Sequence, residues 1–281
     1  MYSFFFIFSY FIVISVIGII TINSYRRFII KYRIYGKAKK RDFHKQPIPN
    51  SCGVVFFFVF TLGLIILEPF LSGSDILGLI VSCFVICVTG FWDDLKIMSP
   101  YKKLFYQVIA VGFIVIHNDL VIENLNGFIG IGELSPLLGT IFTTFIGVFM
   151  INSCNLIDGI DGFAAIVSIA CFSLFGAVFF MIDNEAILIL AIAYVAIIIG
   201  YVPINVSKTK KGFMGDSGSL FLGFGLYVFT LLFIQSDYSV FLNDFIPTQS
   251  LLPLVPLVIF FIPILDILSI YSYRISIGKN P

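Results

Sequence analysis

Apolar runs separated by short polar stretches set the plan of this chain. Runs approaching the roughly 20 residues that cross a hydrocarbon core of about 30 Å lie near 4–23, 52–71, 76–92, 104–117, 137–153, 163–182, 186–203, 218–235 and 250–271. They predict an all-α, polytopic integral membrane protein with about nine transmembrane helices. No soluble domain, low-complexity linker or internal repeat interrupts them, so 1–281 reads as one membrane-embedded unit. The first run has no basic flank before it and no small-residue cleavage site, which predicts a retained helix and not a signal peptide.

Alternating crossings place the stretches 24–51, 93–103, 154–162, 204–217 and the C-terminal tail on one side. All 17 Lys and Arg fall in them. The opposite loops carry Glu68, Asp75, Asp119, Glu123, Glu133, Asp183, Glu185, Asp237 and Asp244 and no basic residue. The positive-inside rule then puts the N-terminus outside and the C-terminus in the cytoplasm. Composition agrees: the chain is 59% hydrophobic and 12% charged, outside the range of soluble domains. A net charge of +1 gives no reason to expect nucleic acid as a partner. The five cysteines form no Cys-x-x-Cys pair or metal-like spacing, and read as packing residues.

The longest polar stretch, 24–51, serves as a topology anchor that attracts anionic headgroups. At its end, Asp42-Phe-His44-Lys45-Gln-Pro47-Ile-Pro49 predicts a rigid basic turn able to meet an anionic substrate. The outer stretch 117–136 reads as a surface loop or short amphipathic segment.

Three acidic clusters lie on the basic face: Asp93-Asp94 after one span, Asp158 and Asp161 after another, and Asp216 before a third. Carboxylates are costly in a bilayer and mark function there. A transporter would place them near the midplane on broken helices; their position at one face suits a site open to a soluble substrate. Asp93-Asp94 alone is consistent with solvated helix ends. Lys96, Lys102 and Lys103 beside it supply positive charge next to groups that bind a metal or accept a proton.

In Asn152-Ser-Cys-Asn155-Leu-Ile-Asp158-Gly159-Ile-Asp161-Gly162 the polar residues recur every third position, loosely following one helix face, and so can converge on one ligand. Gly159 and Gly162 let the backbone leave helical geometry and approach an anion. An EF-hand fails, because its third and fifth ligand positions would be Ile160 and Gly162. Gly212-Phe213-Met-Gly215-Asp216-Ser-Gly218-Ser219 predicts a glycine-rich helix start suited to phosphate. It is not a P-loop, since no Gly-Lys-Ser/Thr follows. Asp216 is then a hard-cation ligand, or in the simpler reading a helix cap. Together these residues point to Mg²⁺-assisted phosphoryl chemistry between a soluble and a lipid substrate.

These spaced motifs, with Met214-Gly-Asp216-Ser-Gly-Ser219-x-x-x-Gly223, make the chain resemble the polyprenyl-phosphate N-acetylhexosamine-1-phosphate transferases over nearly its whole length. The resemblance implies transfer of a sugar 1-phosphate from a UDP-N-acetylhexosamine to undecaprenyl phosphate in the bacterial cytoplasmic membrane, releasing UMP at the start of cell-wall or surface-polysaccharide synthesis. It implies Mg²⁺, with Mn²⁺ as a substitute, held by Asp216 with Asn155, and Lys103 on the diphosphate. Asp93 becomes the base for the lipid phosphate, with Asp94 supporting it. Asp158, Gly159 and Asp161 fall near the diphosphate and uridine, Phe213 packs on uracil, and Asn152 and His44 join the binding residues. Asp266 matches an acidic position in a supporting role or, equally, a helix-packing hydrogen bond. Single displacement and a covalent Asp intermediate remain open.

The His44 segment resembles the branch that uses UDP-N-acetylglucosamine more than the one that uses UDP-N-acetylmuramoyl-pentapeptide. The family pattern continues beyond Tyr273-Arg274 into a His-rich loop and another helix, which implies a fragment or an impaired enzyme. A homodimer is a further family expectation. Outside the family, the open alternatives are a polyprenyl-phosphate carrier and a catalytically silent scaffold.

Overall fold

The computed structural model describes residues 4–32, 34, 49–67, 76–236 and 249–278. Its helices are α1 (Phe4–Tyr32), α2 (Val54–Leu67), α3 (Ile76–Leu95), α4 (Pro100–His117), α5 (Pro136–Ile157), α6 (Phe163–Met181), α7 (Glu185–Asn205) and α8 (Gly215–Ile234). After a short 3-10 turn come α9 (Leu254–Ile259) and α10 (Phe261–Ser276). Among the described residues each predicted apolar run falls on one helix, except 250–271, which is divided between the 3-10 turn, α9 and α10. Six helices are long and apolar enough to cross a membrane: α1, α3, α5, α6, α7 and α8. The pair α9 and α10, bent by 70° at its break, makes a seventh if taken as one span. The protein is therefore a multi-pass membrane protein, and nine crossings are more than these lengths alone provide among the described residues.

Two differences from the sequence reading stand out. First, α1 runs to Tyr32, nine residues past the predicted end of its apolar run, because buried Ile22 and Ile29 keep one face packed while Arg26, Arg27 and Lys31 turn the other polar. Second, the stretch after α4 is not all loop: β1 (Asn124–Phe128) pairs antiparallel with β2 (Ile131–Glu133). Gly127 and Gly130 hold the positive φ values that turn the chain between them.

Helix starts follow local chemistry. Pro100 and Pro136 open α4 and α5, where proline loses no helical hydrogen bond. Asn184 caps α7 by accepting from the Ile187 N–H at 3.3 Å.

The core is built around α8, whose spanning window is 89% buried. It packs against α3, α5, α6 and α2. Small residues bring these backbones together, as membrane helix interfaces require. A Cβ at Gly53 would lie 2.2 Å from the Gly218 Cα, one at Gly90 would lie 2.5 Å from the Ser217 Cα, and one at Gly223 would lie 2.7 Å from the Ile151 Cα. Deeper in the bundle, Tyr194 stacks on Phe172 with centroids 4.2 Å apart and meets Phe60 at 4.5 Å. The C-terminal ends of α3, α5 and α7 and the N-terminal ends of α2, α4, α6 and α8 thereby collect at one end of the bundle, which holds the acidic clusters.

Candidate active site

Lys103, one turn into α4, sits where three helices meet. Its Nζ donates to Asp216 Oδ2 at 2.8 Å, to Asp93 Oδ2 at 3.3 Å and to Asn155 Oδ1 at 3.3 Å. Asn155 in turn donates through Nδ2 to Asp216 Oδ1 at 3.0 Å and to Ser219 Oγ at 2.8 Å. Residues predicted from three separate motifs thus share one network. The Lys103 side chain is 14% exposed and that of Asp216 is 17% exposed, so the network is largely shielded but not sealed. Ion pairs this shielded act more strongly than surface pairs do.

Asp93 and Asp94 are adjacent in sequence and do different work. Asp93 faces Lys103 and accepts from the Met98 N–H, which pins the turn between α3 and α4. Asp94, 6% exposed, accepts from the backbone N–H of Asp216 at 2.8 Å and of Ser217 at 3.1 Å, and from the Ser217 hydroxyl at 2.8 Å. The carboxylate of α3 therefore caps α8 from outside its own helix. This corrects the idea of a phosphate cradle at the start of α8, since two of its first amides already belong to Asp94. Gly215, at φ 68°, makes the approach possible: a Cβ there would lie 1.7 Å from Asn50 O and 2.4 Å from Asp94 Oδ1.

The Asn152–Asp161 motif does not converge on one point. The helix ends at Ile157, and Asp158 is its C-cap. Past that residue the chain turns, so every-third-residue spacing no longer keeps side chains on one face. Asn155 joins the Lys103 network, whereas Asn152 pairs with Gln107 of α4. Asp161, its side chain 47% exposed, forms an ion pair with Lys211. Asp158 stands between these groups, and burial, followed by the nearby charges of Asp216, Asp94 and Asp161, pushes its carboxyl well above the usual range. Gly162 takes the left-handed conformation at φ 75° that starts α6. Gly159 is exposed, and a Cβ there would meet nothing closer than Leu156 O at 3.8 Å.

The second wall of the site is the loop leading into α8. Phe213 donates its N–H to Pro49 O at 2.8 Å, and its own carbonyl accepts from the Cys52 N–H at 3.1 Å. The Gly53 N–H donates to Met214 O at 2.9 Å. These bonds seat the end of the Pro47–Pro49 segment beside Phe213. His44 itself lies outside the described residues. The Lys211 ammonium stands 5.1 Å from the Phe213 ring centroid, within cation–π range.

Sequence reasoning missed Asn205 and Gln107. Asn205, 3% exposed, accepts from the Gly162 N–H through Oδ1, and its Nδ2 donates to Tyr201 Oη at 2.6 Å and to Gly212 O at 3.4 Å. It ties the turn that follows α5 to the loop that precedes α8. The available signal was an amide at the end of, or within, an apolar helix, where it needs a partner. Asp266 lies on α10, which packs against α5.

The oxygens of Asp93, Asp216 and Asn155 all point at one cation, the Lys103 ammonium. Such an oxygen set suits a hard divalent ion. No group of three His, Cys, Asp or Glu side chains among the described residues is arranged to hold a metal by itself. An ion here would draw on Asn155 and on substrate oxygens as well, as Mg²⁺ commonly does.

The profile of glycosyl transferase family 4 matches residues 76–234, the stretch that carries Asp93, Lys103, Asn155 and Asp216. The chain belongs to glycosyl transferase family 4. This family 4 transferase is 30% identical to the phospho-N-acetylmuramoyl-pentapeptide-transferase of Streptococcus thermophilus (strain CNRZ 1066) over 76% of its own length and 69% of the relative's. It is 27% identical to the protein of that name in Staphylococcus epidermidis (strain ATCC 12228), covering 81% of the chain and 75% of the relative. The probable undecaprenyl-phosphate N-acetylglucosaminyl 1-phosphate transferase of Bacillus subtilis (strain 168) is 26% identical, covering 96% of the chain and 72% of the relative. Family and relatives agree on a phospho-sugar transferase, and the chain's own long apolar helices make it a membrane protein.

Proposed function

We propose that the chain transfers N-acetylglucosamine 1-phosphate from UDP-N-acetylglucosamine to undecaprenyl phosphate, releasing UMP. The observation that carries this reading is the meeting of Asp93, Lys103, Asn155 and Asp216 at one partly open point between helices. A cation among carboxylates at a bilayer face can receive a diphosphate from water and a phosphate from the membrane together. In the proposed step an oxygen of the lipid phosphate attacks the β-phosphorus in line. The new P–O bond forms as the bond to the UMP oxygen breaks, and UMP leaves with that electron pair.

Asp93 is the proposed acceptor of the proton from a monoprotonated lipid phosphate, a role its contact with Lys103 supports. Lys103 is the proposed holder of the diphosphate oxygens, exchanging its carboxylate partners for phosphate. Asp216 and Asn155 are the proposed holders of Mg²⁺, which when bound would offset charge on the diphosphate. Asp158 and Asp161 line the donor side, and Phe213 offers its ring to the nucleobase. His44, outside the described residues, keeps the donor-binding role that the resemblance implies.

The topology that goes with this function has nine crossings, the N-terminus outside and the site at the cytoplasmic face of a bacterial cytoplasmic membrane. Its support is the confinement of all 17 basic residues to the stretches on the site's side. One specific observation favours a second donor: relatives at 27–30% identity are named for muramoyl-pentapeptide transfer. Purified chain given undecaprenyl phosphate and either UDP-N-acetylglucosamine or UDP-N-acetylmuramoyl-pentapeptide separates the two. Lipid product from the first alone supports the proposal, and product from the second alone replaces it.

A further inference from the structure

Directly below the Lys103 network lies a second polar contact between the same two helices. Gln107 is one turn after Lys103 on α4, and Asn152 is one turn before Asn155 on α5. Gln107 Nε2 donates to Asn152 Oδ1 at 3.3 Å, and Asn152 Nδ2 donates to Gln107 Oε1 at 2.8 Å and to Val148 O at 2.8 Å. Gln107 is fully buried, the first buried residue along α4. Its neighbours Leu104, Phe105, Tyr106, Val108 and Ile109 are all exposed on the protein surface.

We propose that Gln107 and Asn152 are positioning residues, whose reciprocal amide pair locks α4 against α5 in the one axial register that delivers the Lys103 ammonium to Asp93, Asp216 and Asn155. The inference rests on the transferase reading for its kinetic consequence, but not for its geometry. It moves Asn152 from the expected substrate-binding role to one exerted through Lys103.

Lipid tails are as apolar as a partner helix, so the α4–α5 contact gains little hydrophobic drive and is held by close packing, as of Val111 on Gly147, and by its polar pairs. A paired amide resists sliding of one helix along the other, since displacement leaves buried donors and acceptors without partners. A single buried polar pair sets register in coiled coils for the same reason. A slip of one residue moves α4 by about 1.5 Å. That distance takes Lys103 Nζ out of hydrogen-bond reach of Asn155 and Asp93. Misplacement of a catalytic contact by about 1 Å can cost on the order of a hundredfold in rate.

The test uses Gln107→Leu, Asn152→Leu, the double Leu variant and the swapped pair Gln107→Asn with Asn152→Gln in the full chain. Spin labels at Leu104→Cys and Phe145→Cys read the register by pulsed EPR. Both positions are exposed, and the described cysteines are buried. The expected result is one narrow distance in the parent and the swap, and a shifted or broadened one in the Leu variants. In turnover, Gln107→Leu should lower kcat about ten- to a hundredfold with KM for the sugar nucleotide within about twofold, matching Asn152→Leu. The swap should recover most of the loss.

Unchanged EPR distances in the Leu variants overturn the proposal. So does a Gln107→Leu enzyme of parental kcat beside an inactive Asn152→Leu, which would put Asn152 on the substrate. A parent that transfers no sugar phosphate at all refutes the transferase reading, while the EPR distances still decide the clamp.

Discussion

Asp94 caps a helix it does not belong to: its two carboxylate oxygens take the N–H groups of Asp216 and Ser217 at 2.8 and 3.1 Å. The residue that carries the cap thus fixes the orientation of Asp216, the carboxylate nearest Lys103 at 2.8 Å. Its neighbour Asp93 points the other way, to Lys103 and the turn after α3.

The two aspartates should therefore fail differently. Asp94→Ala leaves buried amides unpaired and should cost roughly 2 to 3 kcal/mol of stability as well as activity. Asp93→Asn should remove most activity with little change in melting temperature. Thermal unfolding in detergent, run beside a transfer assay, distinguishes them.

At Gly215 the backbone is left-handed and the space for a Cβ is filled by Asn50 O and Asp94 Oδ1. Gly215→Ala should be among the most damaging small substitutions, combining a left-handed penalty of about 1–2 kcal/mol with the clash. Gly159→Ala, in open space, should leave folding intact. Yield and monodispersity of the two purified variants provide the comparison.

Asn205 joins both loops of the donor side through Gly162 and Gly212. Asn205→Leu should raise KM for the sugar nucleotide about tenfold or more, because the loops lose their common anchor, while kcat falls less. Equal falls in kcat and kcat/KM, with KM unchanged, would instead mean that Asn205 acts on the transition state.

The raised pKa of Asp158 carries a definite sign. A carboxyl whose folded pKa lies above its unfolded value favours the folded state while protonated. That contribution is present below the unfolded pKa and is lost as pH rises through the folded one. Asp158→Asn should accordingly be more stable than the parent at neutral pH, and the difference should shrink as pH falls toward the ordinary carboxylate range. Melting temperatures of both proteins across pH 4 to 8 would show it.

Much of this arrangement can be read from sequence. The apolar runs mark the helices, and the distribution of Lys and Arg places the acidic clusters at one end. Which polar groups touch is another matter. Asn152 and Asn155 look equivalent as a spacing, yet a helix turns about 300° over three residues, and the packing of α4 gives them Gln107 and Lys103 as separate partners. Asp93 and Asp94 look like a repeated residue and face opposite elements. The capping by Asp94 depends on Gly53, Gly90 and Gly218 letting α2, α3 and α8 approach, a relation between distant positions that no local pattern contains.

In the proposed reaction the Lys103–Asp216–Asn155–Asp93 cluster moves a sugar phosphate from nucleotide to lipid. The most direct measurement follows the β-phosphorus: purified chain receives β-³²P-labelled UDP-N-acetylglucosamine, undecaprenyl phosphate and Mg²⁺, with Asp216→Asn and a chelator in parallel. The account predicts label in the lipid extract and an equal amount of unlabelled UMP in water, both lost with the substitution or the chelator. Labelled lipid formed equally well by Asp216→Asn, or no transfer from any UDP-N-acetyl sugar, would contradict it.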